Sequence, residues 1–81
     1  MARVVVRYFA AAKAAAGVSE DVVEADTVRA CLSTLETMRG AELQRVMKAC
    51  SFLVDGVQAR DLDRPLAGAV KIDVLPPFAG G

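Results

Sequence analysis

The sequence predicts an α+β domain in which one mixed sheet wraps one side of a main helix. Three observations lead there. Strand-like stretches stand near both ends of the chain, at 3–10 and 70–75. One amphipathic helical pattern follows Thr27, and an Asp-Gly pair at 55–56 lies between β-compatible runs. At 81 residues the chain is the length of one small domain, not two. Hydrophobic residues make up 54% of it and the formal net charge is zero, the opposite of the composition that keeps a chain disordered.

The first strand is read in R-V-V-V-R-Y-F-A at 3–10, rich in β-branched and aromatic residues. Period two places Val4, Val6 and Tyr8 on one face, all bulky, and Arg3, Val5, Arg7 and Phe9 on the other. The first face is expected in the core and the second on a solvated side of the sheet. Residues 10–17 are almost all alanine, closed by Gly17. Their propensity is helical, but an isolated helix below about 12–15 residues is marginal, so a helical turn or tight loop is expected. S-E-D-V-V-E-A at 19–25 reads as a short second strand paired with the first.

Thr27 is a good N-cap, since its hydroxyl can accept an orphan amide of the first helical turn. Val28, Cys31, Leu32, Leu35 and Met38 then form one apolar stripe, and Gly40 is a natural stop. Leu43, Val46 and Met47 predict a second short helix over 41–49. Ser51 to Val54 and the run at 57–60 flank Asp55-Gly56, whose residue types suit a hairpin turn needing positive φ at both positions. Residues 61–68 read as irregular. V-K-I-D-V-L at 70–75 alternates Val70, Ile72 and Val74 with Lys71 and Asp73, the cleanest amphipathic strand in the chain, and Pro76-Pro77 ends it. The predicted order is β-β-α-(α)-β-β-β.

The composition excludes several kinds of chemistry. Ten Lys+Arg balance ten Asp+Glu, so there is no basic surplus to collect phosphates, and neither nucleic acid nor an anionic membrane is an expected partner. No apolar run approaches the ~20 residues of a membrane span, and the N-terminus does not read as a signal peptide. There is no histidine, which removes the usual general base, the usual zinc ligand and every Ser-His or Cys-His pair. The two cysteines, Cys31 and Cys50, lack C-x-x-C spacing. Cys31 lies on the apolar helical stripe as a buried thiol, and Cys50 lies at a helix-to-strand junction with no activating partner in sequence. Asp61 and Asp63 read as turn residues and Asp73 as the polar face of a strand, so no metal site is expected. A soluble protein of a reducing compartment, the cytoplasm, is the expectation.

The end of the chain carries the remaining chemistry. Pro76 and Pro77 fix φ and stiffen the exit from the last strand. Phe78 is a large apolar residue that suits a partner pocket. Gly80-Gly81 puts two residues without Cβ beside a free carboxylate. Extended, the tail 76–81 reaches at most ~20 Å and can thread a narrow channel. A terminal carboxylate on such a tether can be activated as an acyl adenylate by a partner that uses ATP. It can then accept a sulfur, amine or thiol nucleophile, with no side chain required from the carrier.

V-R-Y-F-A-A-A-K-A-A-A-G at 6–17, T-V at 27–28, S-F-L-V-D-G at 51–56 and D-V-L-P-P-F-A-G-G at 73–81 resemble the ubiquitin-like sulfur carriers of the β-grasp fold, and within them the small subunits of molybdopterin synthase. The resemblance covers essentially the whole chain, and L-P-P-x-x-G-G is its specific part. Gly68-Ala69 departs from the Gly-Asp often found before the last strand.

The resemblance implies a β-grasp domain over 1–75 and a flexible C-terminal Gly-Gly tail over 76–81. It implies that an adenylating enzyme of the ubiquitin-activating type uses ATP to adenylate Gly81, which is converted to a thiocarboxylate. No cofactor is bound by the carrier itself. Pro76, Pro77, Phe78, Ala79 and Gly80 would contact the large subunit of molybdopterin synthase, which supplies the catalytic side chains while the thiocarboxylate gives its sulfur to cyclic pyranopterin monophosphate. Sulfur carriers for thiazole or cysteine biosynthesis share the fold and ending, and Pro76-Pro77 favours the molybdopterin type. A ubiquitin-like protein modifier joined through Gly81 and a plain interaction module are the other readings.

Overall fold

The computed structural model describes residues 1–77. Eight elements follow one another: β1 (Ala2–Tyr8), α1 (Ala10–Ala16), β2 (Glu20–Ala25), α2 (Val28–Arg39), α3 (Ala41–Met47), β3 (Ser51–Val54), β4 (Val57–Gln58) and β5 (Ala69–Leu75). The strands form one mixed sheet in the order β2-β1-β5-β3-β4. β1 and β5 pair in parallel, while the β1–β2, β3–β5 and β3–β4 pairs are antiparallel. The helices cover one face, and this is the β-grasp arrangement.

The face expected to be buried is buried. Val4, Val6, Ile72 and Val74 are wholly inaccessible, and Tyr8 nearly so. From the helices Val28, Cys31, Leu35 and Leu43 complete the set of larger fully buried side chains. Each such aliphatic side chain contributes about 1.5–3 kcal/mol by leaving water, which is why a β1–β5 centre built from alternating Val and Ile can hold so small a sheet.

Thr27 caps α2 as expected, its hydroxyl accepting the Ala30 amide at 3.0 Å. Gly40, with φ 98° and ψ −172°, ends α2 and opens α3, a conformation that needs glycine. At the hairpin, Asp55 (φ 49°) and Gly56 (φ 86°) both take positive φ, as a two-residue turn of the I′ kind requires. Asp55 also binds the sheet beyond its own hairpin: its carboxylate accepts the Lys71 amide at 2.9 Å and its amide donates to the Lys71 carbonyl at 2.8 Å.

Two expectations need correction. Residues 10–16 form a full helix, not a turn or loop. Propensity alone could not hold it, but Ala12 and Ala16 are buried in the core, and Gly17 in the left-handed region donates its amide to the Lys13 carbonyl at 3.0 Å. Burial of a small-residue face supplies what isolated propensity lacks. Met38 does not belong to the core stripe, being 49% exposed. At that end of α2 the sheet is met instead by Arg39, whose guanidinium reaches Asp21 on β2.

Candidate functional site: the root of the C-terminal tail

β5 is the middle strand of the sheet, so the segment that follows it leaves from the centre of one sheet end, not from a corner. The exit is flanked by the end of β1 and the start of β3. Tyr8 is in register with Val74, and Ser51 with Leu75. The Phe9 amide donates to the Val74 carbonyl at 3.2 Å, which extends the parallel ladder by one bond and fixes Phe9 beside the exit.

The two prolines divide at this point. Pro76 is buried in its own domain, whereas Pro77 is exposed. In the chain by itself the Pro77 ring is open to solvent and the Pro76 ring is not. Phe78, Ala79, Gly80 and Gly81 lie outside the described residues, and so does the expected flexibility of that part of the tail 76–81.

Around the root, the uncovered face of the sheet mixes apolar and charged groups. Leu75 and Leu53 are half-buried and Phe9 is 36% exposed. Between them Arg7 grips Asp73 through two hydrogen bonds, Nε–Oδ1 at 2.8 Å and Nη2–Oδ2 at 3.1 Å. The same guanidinium stands 5.6 Å from the centroid of the Phe9 ring, within cation–π reach. This grouping was missed in the sequence. The signal for it was the outward phase of both terminal strands, but using it required knowing that β1 and β5 pair in parallel with Arg7 opposite Asp73.

A second ionic group lies on the opposite, core side. Asp21 is 8% exposed and accepts the Tyr8 hydroxyl at 2.7 Å and Arg39 Nε at 3.0 Å. The Arg39 guanidinium holds the Asp21 carboxyl below the usual carboxylate range, while burial raises the Tyr8 phenol above its ordinary value. This cluster ties β2 to β1 and to the last turn of α2. It is fully satisfied and offers no free group for chemistry.

Neither thiol is poised to react. Burial pushes Cys31 up to about 11. Cys50 is half-buried, also raised by burial, and donates to the Val46 carbonyl at 3.3 Å. Both remain protonated near neutral pH, and the thiolate is the nucleophile. The aspartates singled out in the sequence have structural partners: Asp61 accepts the Asp63 amide at 3.0 Å, Asp63 pairs with Arg29, and Asp73 pairs with Arg7. Among the described residues no group of three His, Cys, Asp or Glu side chains is placed to hold a metal ion, and no helix is long and apolar enough to cross a membrane. The described part of the site is thus a platform without a reactive side chain.

Known proteins place this platform in a family. The fold is similar to the solution structure of small archaeal modifier protein 1 from Methanosarcina acetivorans. That match has 26% identity and a TM-score of 0.86, and covers 100% of this chain and 98% of that one. It is similar to the crystal structure of small archaeal modifier protein 1 from Haloferax volcanii, at 25% identity and TM-score 0.82 over 98% of this chain and 99% of that one. The fold also matches a protein-protein complex of subunits 1 and 2 of molybdopterin-converting factor from Helicobacter pylori, with 23% identity, a TM-score of 0.77, and coverage of 98% of this chain and 99% of that one. No curated protein matches the chain. The model of the ThiS family matches residues 6–81. The chain therefore belongs to the ThiS family, as a β-grasp protein of the ubiquitin-like sulfur carrier and modifier class.

Proposed function

We propose that this chain is a sulfur carrier for molybdopterin formation, with the domain 1–75 as handle and the tail 76–81 as working end. The Gly81 carboxylate attacks the α-phosphorus of ATP on an adenylating partner and releases pyrophosphate. A sulfide-level nucleophile then displaces AMP and leaves a thiocarboxylate. The tail enters the large subunit of molybdopterin synthase, where Pro77, Phe78, Ala79 and Gly80 line the path and the sulfur passes to the pterin precursor. Catalytic side chains belong to that subunit, and the carrier itself binds no cofactor. Both cysteines are free thiols, in keeping with the reducing cytoplasm to which this reading assigns the protein.

The observation that carries the reading is that the ThiS family match runs through Gly81, so the Gly-Gly ending is part of what is matched. The Helicobacter pylori complex supports a large-subunit partner, because a protein of this fold is found there with a second subunit of molybdopterin-converting factor. A second reading, conjugation of Gly81 to lysines of other proteins, is favoured by the likeness to two archaeal modifier proteins.

The test uses a variant with one residue added after Gly81, checked by mass to be unprocessed. ATP–pyrophosphate exchange with the adenylating enzyme should be abolished, because the α-carboxylate is then locked in an amide. Thermal unfolding should not change, since residues beyond the last strand contribute little to the fold. Deleting Gly81 should also fail, because the reach shortens by ~3.5 Å where chemistry tolerates misplacement of about 1 Å. Undiminished exchange by the extended variant rejects both the carrier and the modifier readings.

A further inference from the structure

The sheet has two edges. β4 is only two residues long and β2 is six, so β2 is the edge long enough to accept another strand. The phase of its hydrogen bonds can be read from the ladder. Tyr8 donates its amide to the Ser19 carbonyl at 2.9 Å, and bonding alternates along an antiparallel pair. Val6–Asp21 and Val4–Val23 are then the bonded pairs with β1, and the amides and carbonyls of Glu20, Val22 and Glu24 point away from it. Among the described residues no backbone hydrogen bond outside the β1–β2 ladder involves residues 20–25.

The same three residues place their side chains on the uncovered face. Glu20 and Glu24 are exposed and Val22 is 50% exposed. Neither glutamate joins an ion pair among the described residues. Arg7, the neighbour of Glu20 across the ladder, is committed to Asp73. The edge thus offers backbone donors and acceptors in a row, with two exposed acids outside any close ion pair around one apolar side chain; Arg3 stands opposite Glu24 and Arg7 opposite Glu20, both on the β1 side away from the open edge.

That pattern decides between occupants. In the full-length antiparallel pairing of β2 with β2 of a second copy, centred on Val22, Glu20 faces the other copy's Glu24 twice over. Like charges directly opposite destabilise a sheet pair. An extended segment carrying Lys or Arg, an apolar residue, and Lys or Arg at alternate positions meets Glu24, Val22 and Glu20 with the right charge and the same backbone bonds. We propose that the β2 edge is a strand-addition site for such a basic segment of a partner protein. β1 separates it from β5, and β1 and β5 separate it from β3, so it can be occupied while the tail root stays open.

The experiment titrates the isotope-labelled full chain with acetyl-Lys-Thr-Val-Thr-Lys-amide and with its charge-reversed counterpart, acetyl-Glu-Thr-Val-Thr-Glu-amide. The basic peptide should shift the amides of Glu20, Val22 and Glu24 and slow their hydrogen exchange. It should bind about ten-fold or more tightly than the acidic one, as two reversed cross-strand charge pairs imply. The double substitution Glu20→Lys, Glu24→Lys leaves buried residues untouched and should reverse the preference. Equal affinity for the two peptides overturns the proposal. So do the absence of any shift at β2, shifts centred on Lys71 and the tail root, or dimerisation of the chain through β2.

Discussion

The two faces of β1 and β5 come from the same strands yet follow different rules. On the helix side, Val4, Val6, Ile72 and Val74 are fully buried and chemically uniform. On the other side the same strands carry Val5, Arg7, Lys71 and Asp73, where Arg7 and Asp73 pair with each other across the strands. Burial on the helix side carries the stability of the sheet, and the other side is held by no comparable burial.

The largest effect that would test this division comes from the covered face. Leu35 is fully buried on the core side of α2, and Leu35→Ala should cost about 2–5 kcal/mol in a urea melt, through lost burial and the cavity left behind. A loss below about half a kcal/mol would remove Leu35 from the core.

Next comes the charged group that intrudes on that face. Asp21→Asn removes a carboxylate hydrogen-bonded to Tyr8 and Arg39, and should cost about 1–3 kcal/mol, less than a fully enclosed pair because Arg39 keeps access to water. The Asp21 carboxyl titrates below its ordinary value of 3.8 in the folded chain. Its contribution is therefore complete above that value and is lost as pH falls through the lower folded one. Unfolding free energy followed down in pH should fall more steeply in the parent than in Asp21→Asn. Parallel curves would show that Asp21 is not the titrating support.

The smallest effect belongs to the open face. Arg7→Gln removes the grip on Asp73, but the Arg7 side chain is 43% exposed, and such pairs are weak and screened by salt. The melting midpoint should move less than in Asp21→Asn, and the difference from the parent should shrink further at high salt. A shift as large as that of Leu35→Ala would mean that the open face also holds the fold.

How much of this was legible in the sequence follows from the range of each signal. Period two in R-V-V-V-R-Y and V-K-I-D-V-L gave the right faces, because alternation is local to a strand. Thr27 and Asp55-Gly56 were legible because a cap and a tight turn are decided within a few residues. The α1 helix was not, since its stability comes from burying Ala12 and Ala16 against elements distant in sequence. Met38 was assigned to the core because a stripe is drawn from periodicity, which cannot show that the sheet beneath that turn is met by Arg39. The Tyr8–Asp21–Arg39 and Arg7–Asp73 groups depend on register across strands and were invisible for the same reason. The candidate site divides likewise. L-P-P-x-x-G-G was legible as a motif, but the burial of Pro76 and the place of Phe9 at the exit were not.

On the proposed reading the domain is a handle and the Gly81 carboxylate carries sulfur as a thiocarboxylate. Intact-mass analysis of the chain purified from its own host, during active cofactor synthesis, tests this most directly. The expected result is a fraction whose mass exceeds the parent by the exchange of one oxygen for one sulfur, with fragmentation placing the change on Gly81. A chain found only as the unmodified carboxylate, or only in isopeptide linkage to lysines of other proteins, would contradict it.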